Sequence, residues 1–458
     1  MTNNIVNLNV SQTIAPKPST LQQTGAFISQ GGTNKVANSL TLLTQASDLT
    51  AILATPLALT SLAWATGVVT ATATAAHGLT IGQVYYLTIA GSIPAAYNGT
   101  YACTPTTTTA FTYSIASNPG AETTPGTWTP SSTQHLQQMT TTFFAQGSSV
   151  SVYVLELGLG SVSTGVTALS TWIGNNPGTV YSYLVPRSWD GVAAYTSFLA
   201  AYESTTAKTY FFTTTTAATY TTYTPAMKCV VALIEAPAIG ANEFSLAAPF
   251  WVSLHYNPSS TNKVTPFAFS YLYGVTPYPT SGNGALFATW KAAGINWVDT
   301  GYEGGVTTAI LKWGTTMDLN PFNYWYAVDW LQINIDLNMS NAVINGSNNP
   351  INPLYLNQDG INRVQAVGAA TMSSAVTFGM LLGQVVQTEL DGPTFGLALE
   401  NGQFAGQAVI NAIPFVAYYT ASPSDYPTGT YNGFSATVTP LRGFESITFN
   451  LNIVGFAA

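Results

Sequence analysis

The stretch Val150-Ser-Val-Tyr-Val-Leu155 opens the part of the chain that decides the fold. It is an apolar run of strand length, and Val166–Ile173 after it suits an amphipathic helix. A further strand is predicted over Val180–Val185 and a further helix over Gly191–Tyr202. Strands that alternate with helices favour a largely parallel sheet covered on both faces, as in the α/β class.

This alternation continues along the chain and then changes. Strands predicted at Tyr210–Thr213 and Val230–Ile234 precede a helix near Glu243–His255. Long helices are predicted over Phe322–Met339 and Gly360–Leu382. The chain then ends in predicted strands, which span Val409–Tyr419, Tyr431–Thr439 and Phe444–Val454.

Residues 64–133 differ from the sequence around them. Short strand-like runs such as Val84-Tyr-Tyr-Leu-Thr-Ile89 are separated by glycine-containing turns, so this stretch is predicted to be a small all-β domain, exposed at the surface. A helical pattern runs from Asp48 towards Leu62, and another resumes at His135. We therefore predict an insertion into a core formed by residues 21–63 and 134–430.

Both ends of the chain are predicted to be extended arms. Residues 1–20 form the N-terminal arm, and residues 431–458 form C-terminal strands and an arm. In the alternating stretch of each arm, Asn, Ser and Thr separate the apolar residues, and no charge in these stretches blocks pairing with another strand. The alternating apolar positions are Val6, Leu8 and Val10 at one end and Ile447, Phe449, Leu451 and Ile453 at the other.

The composition favours a protein that works in an assembly. Only 6% of the 458 residues are charged and 47% are hydrophobic, whereas about a quarter of the residues are charged in an ordinary soluble domain. So few surface charges suit a subunit that is covered by its neighbours. An uncharged extracellular adhesin or surface-layer protein is the alternative. Because the net charge is −8 with ten Lys plus Arg, direct nucleic-acid binding is not expected.

The cysteines and the apolar segments bear on two further properties, disulfide bonding and membrane insertion. Two cysteines in so long a chain, Cys103 and Cys229, predict buried free thiols. The sequence Met1-Thr-Asn-Asn-Ile-Val-Asn7 lacks the basic and apolar regions of a signal peptide. The stretch 364–388 has no charge and is long enough to cross a bilayer, but it contains several Gln, Ser and Thr. We predict an amphipathic or buried helix there and no stable membrane insertion.

Few residue patterns suggest catalysis, a metal or a cofactor, and none is predicted. His77, His135 and His255 lie far from one another and from any cysteine in the sequence, so they do not have metal-ligand spacing. The loop 157–165 resembles a dinucleotide-binding loop, but Ser163 stands where its third glycine should be. An ordinary βα turn capped by Ser163 or Thr164 is favoured.

One pair of carboxylates remains as a catalytic alternative. Asp329 and Asp336 lie seven residues apart on one predicted helix and could face a sugar as the carboxylates of a glycosidase do. In a chain with few charges, pairing with a basic residue such as Lys312 or Arg363 is the favoured interpretation. The chain is therefore predicted not to be an enzyme.

The most specific sequence signal lies in the C-terminal quarter, and it resembles a known family. The run begins with Ile413-Pro-Phe-Val-Ala-Tyr-Tyr419, continues through Ser422-Pro-Ser-Asp-Tyr426 and Gly429-Thr-Tyr-Asn-Gly433, and ends with Thr439-Pro-Leu-Arg-Gly-Phe-Glu-Ser-Ile-Thr-Phe-Asn-Leu-Asn452. It resembles the C-terminus of contractile-tail sheath proteins of bacteriophages, in their divergent sheath-like group. Other segments agree with it, namely Phe143-Phe-Ala-Gln-Gly147, Tyr326-Ala-Val-Asp-Trp-Leu331 and Asp359-Gly-Ile361. The resemblance covers residues 21–63 and 134–456, while 64–133 is similar to small β-domains of phage virion proteins.

The resemblance implies a multidomain α/β sheath core with an inserted β domain and two strand arms. Sheath subunits stack as hexameric rings into a helical stack around a tail tube, and their arms add strands to sheets of neighbouring subunits. The implied partners are further copies of the chain, the tail tube protein, and the baseplate and tail terminator proteins. The implied location is the virion, as part of a phage tail assembled in the host cytoplasm. Contraction would drive the tube through the host envelope during genome ejection.

Alternatives remain open at this point. The chain could be another virion structural protein, such as a tube or fibre component, although a tube protein should be shorter and mostly β. The arms could be edge strands within one subunit. A virion-borne glycosidase would need Asp329 or Asp336.

Overall fold

The computed structural model describes residues 20–202, 209–278, 284–300 and 308–444. The first part of the chain contributes eight strands, with short 3-10 helices among them: β1 (Gly25–Ser29), β2 (Ser39–Leu43), β3 (Leu57–Ala65), β4 (Val68–Ala73), β5 (Tyr85–Ala90), β6 (Gly99–Pro105), β7 (Ala110–Ser114) and β8 (Thr127–Pro130).

Strands and helices then alternate, as the sequence predicts. The middle of the chain contains α1 (Ser131–Ala145), β9 (Val152–Glu156), α2 (Val162–Asn175), β10 (Ser182–Leu184), α3 (Ala193–Tyr202), β11 (Tyr210–Thr215), β12 (Val230–Ile234), α4 (Ala247–His255), β13 (Tyr271–Leu272), α5 (Gly284–Ala292), β14 (Asn296–Thr300) and β15 (Ala309–Lys312). The last part contains α6 (Phe322–Ser347), α7 (Gln358–Thr377), β16 (Val385–Thr388), α8 (Gly392–Glu400), β17 (Ala408–Ala412), α9 (Phe415–Ala421) and β18 (Phe434–Thr437).

A nine-stranded sheet forms the centre of the core, in the order β13-β15-β14-β12-β11-β10-β1-β9-β2. Neighbours from β9 across to β14 pair in parallel, while β2, β13 and β15 are antiparallel to their partners. Every residue of β1, β11 and β12 is buried, as expected of strands with helices on both faces. The predicted covered and largely parallel sheet is confirmed.

Helices pack on both faces of this sheet because its side chains alternate. Phe27 of β1 faces the layer of α1, α4 and α6, and its ring lies edge-on to Phe143 with centroids 5.4 Å apart. Ala26 and Ile28, its neighbours in sequence, face the layer of α2, α3 and α5. The core is therefore a three-layer arrangement of helices, sheet and helices.

A closed barrel of six strands, in the order β3-β4-β7-β6-β5-β8, precedes α1. Its interior is filled by large side chains such as Phe111 and Trp128, both buried. β8 ends at Pro130 and α1 begins at Ser131, so no linker separates barrel and helix. Gln134 on α1 also accepts a hydrogen bond of 3.1 Å from Thr100 Oγ1 of the barrel.

The barrel does not coincide with the predicted boundaries at 64 and 133, and part of the flanking prediction is wrong. The helical pattern from Asp48 towards Leu62 is instead a short 3-10 helix, Ala46–Ala51, followed by β3. Leu59 and Leu62 are both buried, and the register of β3 shifts between Leu59 and Ser61. This bulge changes the period-two spacing of a strand into the three-residue spacing that suggests a helix.

The C-terminal part combines two long antiparallel helices with a small sheet. α6 extends further than predicted, to Ser347, and α7 ends earlier, at Thr377. The strand predicted over Val409–Tyr419 is wrong in its second half, because β17 ends at Ala412 and α9 begins directly after Pro414. Proline is well tolerated at the start of a helix and stops a strand. None of the helices in the described ranges is long and apolar enough to span a membrane.

Candidate interface for strand exchange

The small C-terminal sheet has two edges that no strand of the described ranges covers. Its order is β16-β17-β18, with β16 parallel and β18 antiparallel to the central strand. Ile413 N donates to Gly433 O at 3.0 Å, which fixes the alternation of hydrogen-bonded pairs along β18. By that alternation, the backbone N–H and C=O groups of Phe434 and Ala436 point away from β17. They form a short open edge suited to a further strand.

An apolar groove of about 530 Å³ runs beside this edge, between β18 and the helices α6 and α7. Phe434, Ser435 and Ala436 all line it. Successive side chains of a strand alternate between faces, so a groove lined by three consecutive residues reaches the edge of the strand itself. Its floor consists of apolar side chains from two helices and the central strand: Ile335, Met339, Val343, Ile361, Val364 and Ile410.

Among the described residues, no charged side chain lines the groove. Tyr431 closes one end of it: its hydroxyl donates to Ile413 O at 2.5 Å, and its ring lies 4.9 Å from that of Phe434. Burial raises the pKa of Tyr431, so the hydroxyl stays neutral. An uncharged apolar surface of this size beside an open strand edge is typical of sites that bind an extended peptide segment.

Buried amides hold the sheet rigid around this site. Asn411 of β17 accepts from Leu390 N and donates to Leu390 O, both at 2.9 Å. Gln365 of α7 donates to Thr388 O at 2.8 Å and to Ile410 O at 3.1 Å. Both amides are almost fully buried, so they fix α7 and the end of β16 to the central strand.

Beyond β18 the chain is anchored before it leaves the described range. Leu382 N donates to Thr439 O and Leu441 N donates to Met380 O, each at 2.9 Å. Asn323, at the start of α6, donates to Leu441 O at 3.1 Å. The next side chain, Arg442, donates to Asn320, and Phe444 is 78% exposed. The chain therefore leaves the core beside the first turn of α6.

The seven residues predicted to exchange between subunits all lie outside the described residues: Val6, Leu8, Val10, Ile447, Phe449, Leu451 and Ile453. Their role stays a prediction. The sequence reasoning missed the groove that could receive them. Ile335, Met339 and Val343 recur every four residues on α6, so the sequence does predict an apolar stripe on this helix. It does not predict that β18 lies beside the stripe and forms a groove with it.

The loop from 157 to 165 is an ordinary βα turn, as predicted, but the helix cap differs from the prediction. Ser161 caps α2 by accepting from Thr164 N, so the cap lies two or three residues before the predicted Ser163 or Thr164. Gln30 lies in front of the helix and donates to Ser161 O at 2.8 Å. A Cβ atom on Gly165 would lie 2.4 Å from the Gln30 carboxamide. In a dinucleotide-binding loop, a phosphate would lie in front of this helix; here the side chain of Gln30 occupies that position.

The carboxylates considered for glycosidase chemistry do not form a site. Asp329 is 3% exposed and accepts hydrogen bonds from Tyr181 Oη at 2.8 Å and Tyr210 Oη at 2.9 Å. Asp336 is half-buried, and burial raises its pKa. Neither pairs with the predicted basic residues: Lys312 lies 3.8 Å from Asp299, and Arg363 lies 3.9 Å from Asp359. Asp329 supports the packing of α6 on the large sheet.

The remaining candidates are structural residues of the core. Both cysteines are buried thiols, as predicted. His135 is buried on α1. Its pKa is lowered to about 3, mainly by burial and to a smaller extent by the positive charge of the nearby Arg187. In the described ranges, no three His, Cys, Asp or Glu side chains lie together where they could hold a metal ion.

Comparison with known proteins supports the fold. No protein-family model matches the sequence, and no curated protein matches it. A chain of the anti-feeding prophage baseplate, solved with six-fold symmetry, is 11% identical, with a TM-score of 0.55 over 97% of this chain and 98% of that one. A chain of the anti-feeding prophage helical sheath in its contracted state is 10% identical, with a TM-score of 0.51 over 98% and 99% of the two chains.

The two matches place the fold in the class of the anti-feeding prophage baseplate and helical sheath chains. Within this class the chain has the fold of a divergent sheath-like protein, since the likeness to the helical sheath chain extends over nearly the full length of both. The resemblance drawn from the C-terminal run is confirmed at this level. The mixed α/β core also differs from the mostly β structure expected of a tube protein.

Proposed function

We propose that this chain is the structural subunit of a contractile tail sheath. Copies of it polymerise as stacked hexameric rings around a tail tube, and their contraction drives the tube through the envelope of the host. The observation that carries the proposal is the open edge of β18 beside a charge-free apolar groove, on a chain whose ends alternate apolar and polar residues.

Strand exchange would link the subunits through the small sheet. Backbone groups of Phe434 and Ala436 would pair with an incoming arm, and the groove would bury the apolar face of that arm. Two arms and two open edges, at β16 and β18, would let each subunit bind two neighbours. Hydrogen bonds fix the link in register, and apolar burial stabilises it by about 25 cal/mol per Å².

The mechanism would be mechanical and would need no nucleotide or metal. A lattice assembled in an extended, metastable form would relax to a shorter one with more buried contact, while the arms keep the subunits linked. The buried amides around the small sheet favour motion of each subunit as a rigid body. The proposed partners are the tail tube, baseplate and tail terminator proteins, in a virion assembled in the host cytoplasm.

The barrel and the chain ends keep their proposed places in this scheme. The barrel would decorate the outer surface of the sheath. Residues 1–20 and the part of the C-terminal segment 431–458 that follows Phe444 would supply the links between rings. The division of the chain into a core and an inserted domain stays part of this proposal, with the domain taken as the barrel from β3 to β8, Leu57–Pro130.

Negative-stain electron microscopy of the purified chain tests the proposal. We expect hollow tubes of stacked six-fold rings, alone or on isolated tail tubes. Chains that lack residues 1–15 or 445–458 should remain soluble and fail to polymerise. Particles that never assemble, even on a tail tube, would refute the sheath function.

Point variants provide a matched control for the deletions. Phe449→Asp or Leu451→Asp places a charge on the apolar face of the arm and should abolish polymerisation. Asn450→Asp or Asn452→Asp adds the same charge on the polar face and should leave it intact. Equal effects of the two sets would contradict the strand-and-groove interpretation.

A further inference from the structure

The C-terminal segment leaves the core at a point from which it can turn back along the groove of its own subunit. β18 runs from the groove towards the first turn of α6, where Leu441 is held by Asn323 and Met380. The groove lies along the second half of α6, at Ile335, Met339 and Val343. A segment that turns back after Phe444 would therefore run along the groove, antiparallel to β18.

The length of the sequence beyond Phe444 is sufficient for this path. Helical rise is about 1.5 Å per residue, so Ile335 lies roughly 18 Å and Val343 roughly 30 Å along α6 from Asn323. The sequence continues for fourteen residues after Phe444, from 445 to 458, which span up to about 46 Å when extended at roughly 3.3 Å per residue. The whole groove is within reach.

The spacing of apolar residues also agrees. Residues four apart on a helix repeat every 6 Å or so, and residues two apart on a strand repeat every 6.6 Å or so. Phe449, Leu451 and Ile453 lie five, seven and nine residues after Phe444, so they reach roughly 16, 23 and 30 Å from it. The 6.6 Å or so between successive apolar residues of an extended segment is therefore close to the 6 Å or so between Ile335, Met339 and Val343 along α6.

The direction of the returning segment suits the sheet. Because β18 is antiparallel to β17, a segment antiparallel to β18 would continue an antiparallel ladder through the outward groups of Phe434 and Ala436. Such a hairpin needs no crossover, unlike the addition of a parallel strand.

We infer that in the unassembled subunit residues 445–458 occupy the groove of their own chain. This inference rests on the proposed function and adds to it a means of regulation. The segment must leave its own groove before it can bind a neighbour. A short tether gives it an effective concentration in the millimolar range, far above that of free subunits. Subunits in dilute solution therefore keep the segment in their own groove. Assembly depends on a surface that favours insertion of the segment into the groove of a neighbouring subunit.

Cysteine pairs test this inference. The native thiols Cys103 and Cys229 are buried, so an added pair can be followed under mild oxidation. In a dilute subunit, Met339→Cys combined with Leu451→Cys should form a disulfide within one chain, detected as a monomer that migrates faster on a non-reducing gel. Val36→Cys combined with Leu451→Cys is the control, because Val36 is 80% exposed beside β2. Equal linking of this control pair would overturn the inference.

A mixture of the two single variants separates the inference from the proposed function. Chains with Met339→Cys and chains with Leu451→Cys should link to each other only after polymerisation. If the mixture links in polymers but the double variant never links within a dilute chain, the inference is wrong and strand exchange stands. If neither links, strand exchange in this groove is wrong as well.

A binding measurement avoids dependence on introduced cysteines. A subunit that ends at Phe444 should bind a synthetic peptide of residues 445–458, as followed by fluorescence anisotropy. The full-length subunit should bind it at least about tenfold more weakly, because its own segment competes. Equal affinity of the two forms would overturn the inference, and failure of both to bind would overturn the groove as the arm site.

Discussion

Replacement of Asp329 tests whether this residue has a structural or a catalytic role. Its carboxylate is 3% exposed and accepts hydrogen bonds from the hydroxyls of Tyr181 and Tyr210. Tyr181 directly precedes β10 and Tyr210 is the first residue of β11, the adjacent strand of the large sheet. Asp329→Ala removes the acceptor while both hydroxyls stay buried. We expect a lower free energy of unfolding, because an unpaired buried polar group keeps its desolvation penalty.

The magnitude follows from the two hydroxyls. Each buried donor without an acceptor costs about 1–3 kcal/mol, and removal of the buried carboxylate offsets part of that sum. We expect a net loss of about 2–4 kcal/mol for Asp329→Ala. Asp329→Asn keeps one oxygen and should lose about half as much. At a urea dependence of about 3 kcal/mol per molar, the alanine variant should unfold at roughly 1 M less urea.

Urea unfolding followed by tryptophan fluorescence measures this loss. Asp336→Asn is the matched control on the same helix. Burial raises the pKa of Asp336, so its charged form is disfavoured in the fold at neutral pH, and the substitution should be neutral or slightly stabilising. If Asp329→Ala unfolds at the wild-type urea concentration, the structural role is refuted. Loss of glycan cleavage with unchanged stability would instead favour the catalytic alternative.

Three further substitutions test the account of the core and the sheets. The pKa of His135 falls from 6.5 to about 3 in the fold, so the unfolded chain binds the extra proton between these values. Stability should therefore fall by about 2 kcal/mol between pH 6.5 and pH 4.5, and His135→Leu should flatten this slope in urea unfolding at several pH values. Gly383→Ala would place a Cβ 1.8 Å from Gly406 O and should destabilise the small sheet by more than about 3 kcal/mol. Gly406→Ala is the control: its new Cβ would meet open space, so it should cost only about 1 kcal/mol of stability, for its positive φ. Gln146 donates to Tyr273 O at 2.7 Å and accepts from Tyr273 N at 2.9 Å, so it covers backbone groups beside the edge strand β13. Gln146→Ala should expose these groups and increase disordered aggregation, measured by light scattering. Unchanged scattering would contradict the protective role of Gln146.

The central sheet could be predicted because its strands carry their own signal. Val230–Ile234 is an uninterrupted apolar run that is buried on both faces, so its prediction matched the observed β12 to the residue. The alternation with helices followed in the same way. Local patterns suffice where each element meets a uniform apolar environment.

Elements whose pattern is set by a distortion or by distant residues could not be predicted. The bulge in β3 gave a strand the spacing of a helix, and Pro414 divides one apolar run into β17 and α9. The groove joins Met339 to Phe434, and neither residue indicates the other in the sequence. The C-terminal run indicated the sheath-like fold through its resemblance to a family, whereas the site depends on how that run packs against α6.

The placement of charged residues strengthens the argument from composition. The chain has 18 Asp plus Glu, yet Glu156, Glu235, Glu243 and Asp329 are buried. Glu156, for example, accepts from Gly31 N at 2.7 Å and from Gly158 N at 2.8 Å, where it holds the ends of β1 and β9 together. Part of an already small set of charges thus serves the interior and leaves the surface still less charged. Such a surface offers few partners for salt bridges. Contacts between subunits would therefore rest on apolar burial and backbone pairing, the two features that the groove and the open edge of β18 provide.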